Sequence, residues 1–341
     1  MLSELIAPAR RLALVGLAKN TGKTETLAAI LQELPTQHTS VGVTSIGRDG
    51  EEHDVIDPRI SKPRIVLQTG SLVASTDALV RASGLAHERL VQTGVRTPLG
   101  EVVIARIAER GAVEVAGPST GEDLRRVSDA MLELGAEIVL IDGSIDRRAA
   151  SSPAVADGLV IATGAVLSEL IEEVVAATRD AVDLVRLPIA SETASEQPSA
   201  AGDEEVTVER QLALGAEPAQ IAALLGEHPQ ASTLRVDGAL GERFLEGLLD
   251  ARTARAGREL RIVVGDSTKV FLSRRGPDWY RRQGLAIEVL CAIDLKAITV
   301  NPVAPQAHRF DSRRLRELIE AAVADVPVLD VLDPSYLALA K

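Results

Sequence analysis

The chain has 341 residues and a net charge of −12, with 49 acidic against 37 basic side chains, and only one cysteine, Cys291. That length corresponds to about two domains, the acidic balance argues against a nucleic-acid or anionic-membrane partner, and a lone cysteine excludes an internal disulfide or a zinc ribbon. With 46% hydrophobic but only 2% aromatic residues, the core falls to Ala, Val, Leu and Ile, as in sheets covered on both faces by helices, so the class expected is α/β.

Residues 1–11 are short and mixed in character, and no run reaches signal or transmembrane length, so a cytoplasmic protein is expected. The stretch Leu12-Ala13-Leu14-Val15-Gly16-Leu17-Ala18-Lys19-Asn20-Thr21-Gly22-Lys23-Thr24 then runs an apolar strand into a glycine-bounded loop that ends in Gly-Lys-Thr. A helix is predicted over 23–34. This order reads as a phosphate-binding P-loop, one residue longer between Gly16 and Gly22 than the strict pattern, which places glycine where Leu17 stands. Gly16, Lys19, Asn20, Thr21 and Gly22 form the expected nucleotide cradle. Lys23 would reach the β and γ phosphates as the catalytic cation, and Thr24 would sit on Mg²⁺. The backbone amides and the helix dipole would face the anion.

Residues 40–50 have strand composition and end in a polar, glycine-punctuated loop. Such loops lie at the carboxyl ends of parallel strands. Asp49 is therefore a candidate to hold Mg²⁺ through water or to orient the attacking group, with a turn aspartate as the other reading. His53, Asp54 and Asp57 read as a solvated loop beside Pro58 rather than a metal cluster. A short strand is predicted over 64–68 and helical stretches over 76–83 and 86–93. A strand over 112–119 ends in a Gly-Pro turn and precedes a helix over 122–134 capped by Thr120.

Glu137-Ile138-Val139-Leu140-Ile141-Asp142-Gly143 is an apolar run ending in an acid, the Walker B partner of the loop. Asp142 would complete the Mg²⁺ shell begun by Thr24. Ser144-Ile145-Asp146-Arg147-Arg148 follows. Arg147 or Arg148 would stabilise phosphoryl charge, unless Asp146 holds it. The buried strand expected over 157–165 brings Thr163 towards the nucleotide, and Ser168 caps a helix over 169–183. No Asn-Lys-x-Asp guanine signature occurs, so ATP is the nucleotide expected.

Residues 191–205 are rich in Ser, Thr, Glu, Pro, Gly and Asp and read as a linker. Beyond it, helices are predicted over 219–225, 239–249 and 311–324, and strands over 232–237, 260–264, 287–290 and 297–300. The expected organisation is a P-loop nucleotide-binding domain over 1–190 with a parallel sheet flanked by helices, a linker over 191–205, and a smaller α/β partner-binding or lid domain over 206–341.

Taken with Thr-Ser-Ile-Gly-Arg-Asp-Gly-Glu (44–51), Thr-Pro-Leu-Gly-Glu (97–101), Glu-Val-Ala-Gly-Pro-Ser (114–119), Ile-Asp-Gly-Ser-Ile-Asp-Arg-Arg (141–148), Ala-Thr-Gly-Ala (162–165) and Ile-Thr-Val-Asn-Pro-Val-Ala-Pro-Gln (298–306), the loop makes the chain resemble the P-loop ATPase subunit associated with the reactivating factor of lysine 5,6-aminomutase. The resemblance spans nearly the whole chain. It implies an ATP- and Mg²⁺-dependent chaperone that expels damaged cobalamin from an adenosylcobalamin-dependent aminomutase, with a second reactivase ATPase subunit as companion; a homodimer stays open as an assembly. The chain lacks an Asp-x-His-x-x-Gly cobalamin-ligand motif, so the cofactor would stay with the client. Competing readings are a dethiobiotin-synthetase-like ATP-dependent ligase, a metal-inserting NTPase, and a non-catalytic nucleotide-binding regulator. The paucity of His and Cys counts against metal handling.

Overall fold

A computed structural model describes residues 1–34, 40–47, 65–144, 149–191, 204–252, 259–305 and 308–339. Its strands, in chain order, are β1 (Arg11–Gly16), β2 (Val41–Ser45), β3 (Ile65–Leu67), β4 (Leu72–Thr76), β5 (His87–Thr97), β6 (Gly100–Ile107), β7 (Gly111–Val113), β8 (Ile138–Ser144) and β9 (Gly158–Gly164). They continue with β10 (Glu204–Val208), β11 (Ala231–Val236), β12 (Leu240–Gly241), β13 (Leu260–Val264), β14 (Val270–Phe271), β15 (Leu285–Val289), β16 (Leu295–Asn301) and β17 (Val328–Leu329). Among the described residues no helix is long and apolar enough to cross a membrane.

The chain divides into two compact units, residues 1–178 with 294–341 and residues 179–293. In the first, nine strands form one sheet in the order β17-β16-β9-β1-β8-β2-β4-β6-β5. The strands from β17 to β4 run parallel. The apolar runs of β1 and β8 explain their central place, because a strand covered on both faces needs no alternation. Successive side chains still point to opposite faces. Leu12, Leu14 and Leu140 join Leu27 and Ile30 of the helix Lys23–Glu33 in one cluster, whereas Val139 and Ile141 join Leu124, Val127 and Met131 of the helix Gly121–Glu133 in another. Thr120 caps the latter helix, its hydroxyl accepting from the Asp123 N–H at 3.1 Å, as expected from sequence.

The sheet is mixed, not parallel throughout. β6 runs antiparallel to both β4 and β5, so the helix expected over 86–93 is instead part of the edge strand β5. Apart from the buried Val95, its residues are half-buried or exposed, and cross-strand partners such as Arg89↔Ala105 and Val91↔Ile104 decide a segment whose own pattern is ambiguous. The strand expected over 112–119 is shorter. Only Gly111–Val113 pairs, with β3, and 114–119 runs on as irregular chain towards the end of β2.

The domain division expected from sequence is corrected as well. Residues 294–341 belong with the first unit, because β16 pairs with β9 over Leu295–Asn301 and with β17 beyond it. The residues Ala297, Ile298, Thr299 and Val300 are buried by that pairing. The second unit ends at Ile293. Compositional change marks where a chain becomes irregular, but it carries no information on where the chain returns to a sheet formed earlier.

The second unit holds a four-stranded parallel sheet, β10-β11-β13-β15, around a core that includes Leu234, Ile262, Leu285, Phe244 and Tyr280. Glu242 fixes one of its loops by accepting from the backbone N–H groups of Ser273, Arg274 and Arg275 and from the Tyr280 hydroxyl. Burial opposes ionisation of Glu242, but hydrogen bonds from the Ser273 hydroxyl and from the backbone N–H groups of Arg274, Ser273 and Arg275 prevail and hold its carboxyl below the usual range.

Candidate functional site

β1 lies in the middle of the sheet, between β8 and β9, with Gly16 level with Ser144 on one side and Ala162 on the other. The Leu17 N–H still reaches the Ala162 carbonyl at 2.9 Å; beyond it the chain leaves the sheet. This is the carboxyl end of parallel strands, where open α/β sheets bind ligands. A Cβ on Gly16 would lie 2.5 Å from the Thr21 hydroxyl oxygen, so the loop turns back directly over the strand end. The Thr21 side chain is buried and donates to the Ala18 carbonyl at 3.1 Å. Lys19 and Asn20 are exposed.

Two residues take left-handed backbone, Asn20 with φ 64° and Gly22 with φ 88°. Glycine adopts this region freely and asparagine better than most others. Gly22 then caps the helix Lys23–Glu33, and Thr26 donates back to its carbonyl at 3.1 Å.

Lys23, the first residue of that helix, turns towards β8. Its ammonium donates to the Gly143 carbonyl at 2.8 Å and pairs with Asp142 Oδ1 at 2.9 Å. The two side chains are 14% and 21% exposed, so the attraction acts in an environment screened less than a surface pair. Asp142 is level with Leu14 of β1 and Ser45 of β2. Thr24, half-buried, is the second residue of the helix. The structure thus brings Lys23 and Asp142 together at the end of the central strands, one residue from Thr24. Asp49 and Arg147, like Arg148 and the group His53, Asp54 and Asp57, lie outside the described residues.

Thr163 does not join this group. It is fully buried, and its hydroxyl shares a 2.8 Å hydrogen bond with Thr178, which also donates to the Val174 carbonyl. The Thr163 hydroxyl thus serves the packing of the helix Ile171–Val185. Its replacement by valine is expected to cost on the order of 1 kcal/mol of stability and to leave nucleotide affinity unchanged. Thermal unfolding and titration calorimetry of Thr163→Val check both; a fall in affinity would return the residue to the site.

Three further residues border the site. Asn301, at the end of β16, donates from Nδ2 to the Asn20 carbonyl at 3.2 Å. Gly164, level with Asn301, leaves only enough room for the Asn301 carbonyl, which would lie 2.2 Å from a Cβ. Gly117 packs on the end of β2, its N–H donating to Ser45 Oγ at 3.0 Å. The strand predicted over 297–300 is β16, which ends at Asn301 and joins the first sheet rather than a separate domain. Compared with family models, curated proteins and solved structures, the chain gives no match.

Proposed function

We propose that the chain is a P-loop NTPase that binds Mg-ATP and acts as the reactivating chaperone subunit for an adenosylcobalamin-dependent aminomutase. The observation that carries the nucleotide part is the contact of Lys23 with Asp142 at 2.9 Å: a loop cation and a strand-end carboxylate meet where the left-handed loop opens into a helix N-terminus. The client and the companion subunit rest on the sequence resemblance.

The donor set fits Mg²⁺. Thr24 offers a hydroxyl and Asp142 a carboxylate, both hard oxygen ligands, and a cation shared with phosphates takes only one or two ligands from the protein. Among the described residues no group of three His, Cys, Asp or Glu side chains is gathered to hold a metal alone, and a phosphate-shared ion requires none. When bound, Mg²⁺ would neutralise charge on the β and γ phosphate oxygens. The chain's own part follows from the apo contacts. Lys23 is held by Asp142 and the Gly143 carbonyl; a bound triphosphate would offer it a denser negative charge, and Asp142 would then be available, with Thr24, to hold Mg²⁺. The loop amides and the helix Lys23–Glu33 supply positive potential to the same anion.

Phosphoryl transfer needs a further cation at the transition state, and when a partner supplies it the gain is roughly 10³ to 10⁵ in rate. The isolated chain is therefore expected to hydrolyse ATP slowly and to speed up with its companion subunit and client. The test inactivates a candidate aminomutase by turnover and adds this chain, the companion, Mg-ATP and fresh adenosylcobalamin. Recovery of mutase activity that disappears with Lys23→Ala supports the proposal. Turnover by the chain alone on the order of 1 to 100 per second, with a small carboxylate consumed and no recovery, would transfer the function to an ATP-dependent ligase.

A further inference from the structure

We propose that Asn301 is a positioning residue for the nucleotide loop, delivered to it by β16 from the far end of the chain. The inference rests on the ATP-site reading and adds to it what holds the loop in an anion-accepting shape before a ligand arrives.

Asn20 occupies a left-handed backbone conformation that asparagine tolerates less freely than glycine, and its side chain is exposed, so burial of that side chain does not hold it there. The Asn301 amide does. Its Nδ2 donates to the Asn20 carbonyl at 3.2 Å, while its Oδ1 accepts from the Val303 N–H at 3.1 Å. These two bonds assign the amide orientation without ambiguity, since a flipped amide would set oxygen against a carbonyl and N–H against N–H. The Val303 bond fixes the side chain, and the fixed side chain fixes the Asn20 carbonyl. Peptide planarity then sets the Thr21 N–H in the opposite direction, so one side-chain bond orients a loop donor.

The placement of Asn301 is tightly determined. Its carbonyl passes over Gly164, where a Cβ would lie at 2.2 Å, and its own Cβ lies 3.1 Å from the position a Gly22 Cβ would occupy. Two residues earlier, on the same face of β16, the buried Thr299 hydroxyl meets Thr26 of the loop's helix at 2.7 Å. Thr26 donates in turn to the Gly22 carbonyl. Both ends of the turn, Asn20 and the first helical turn, are therefore tied to one strand.

The test compares wild type with Asn301→Ala and Asn301→Asp by hydrogen exchange of the amides of residues 18–24 without ligand, by thermal unfolding, and by Mg-ATP titration. Asn301→Asp keeps the acceptor for Val303 and replaces the donor to Asn20 by a charged oxygen that also repels phosphate, so its loop exchange, not its ATP affinity, decides the matter should the alanine variant not fold. Expected are faster exchange confined to the loop, a nearly unchanged unfolding midpoint, and affinity lower by about 5- to 30-fold, from one lost hydrogen bond and the released strained peptide. A residue with only a packing role would lower the midpoint and raise exchange throughout, which would overturn the proposal, as would unchanged loop exchange. If wild type binds no nucleotide, the function proposed above fails; the exchange data still judge Asn301, supporting it if the loop alone loosens in the variants and refuting it if it does not.

Discussion

Lys23→Ala is expected to weaken Mg-ATP binding at least about 100-fold, equivalent to roughly 3 kcal/mol, as truncation of one partner of a desolvated charge contact does. The ammonium is the group that would meet the β and γ phosphates, and the water it displaces there cannot replace a fixed charge in a low-dielectric site. A second effect accompanies the first. In the ligand-free protein Lys23 pairs with Asp142, only 21% exposed, and its removal deprives that carboxylate of a cation. Stability should therefore fall too, and the double variant Lys23→Ala/Asp142→Ala should recover part of it without recovering ATP affinity. That divergence separates the structural contribution of the pair from its contribution to binding. Titration calorimetry and thermal unfolding of wild type and the two variants read it directly. Affinity for ATP in Lys23→Ala within a factor of three of wild type would end the P-loop reading.

Gly117→Ala is expected to lower stability by about 3 kcal/mol, at the upper end for overpacking, which for a unit of this size is a drop of roughly 6 to 12 °C in Tm. The added methyl would lie 2.0 Å from the Ser45 carbonyl oxygen and 2.8 Å from Thr44 Oγ1. Rotation of a side chain relieves neither the contact with a strand carbonyl nor the attachment around it. Gly117 itself donates to Ser45 Oγ at 3.0 Å, and the Gly47 N–H reaches the Pro118 carbonyl at 2.6 Å. Since Ser45 is level with Asp142 and the Ile46 N–H donates to the Asp142 carbonyl at 3.0 Å, displacement of this segment is transmitted to the site carboxylate. Gly226→Ala is the control, because nothing lies within 4 Å of its Cβ position in the helix Pro218–Glu227; there the exchange should be neutral or stabilising by up to about 1 kcal/mol. Differential scanning calorimetry decides, and equal midpoints for Gly117→Ala and wild type would mean that the segment does not sit against β2.

What could be read from the sequence follows the range of the forces involved. The strand Arg11–Gly16, the turn, the helix Lys23–Glu33 and the acid near the end of β8 were legible because each depends on neighbours in the chain. Apolar runs bury themselves, glycine permits left-handed backbone, and a carboxylate follows the last apolar residue of the run in β8. The edge strand β5 was not legible. Residues 86–93 have no period strong enough to settle helix against strand, and the partner β6 settles it by pairing. The second-unit boundary failed for a related reason, since β16 reads as any buried strand until β9 is beside it.

The sequence by itself determined the α/β class, the phosphate-loop candidate and the assignment of Lys23, Thr24 and Asp142 to one site as an expectation, while the direct contact of Lys23 with Asp142 came from the structure. Only the tertiary structure decided that Thr163 is enclosed by Thr178, that residues 294–341 return to the first sheet, and that Asn301 and Gly117 border the site. Local backbone preference and charge are written residue by residue. Contacts such as Asn301 to Asn20, 281 residues apart, depend on strand order and register, and a shift of one residue along a strand would turn the same side chain to the opposite face.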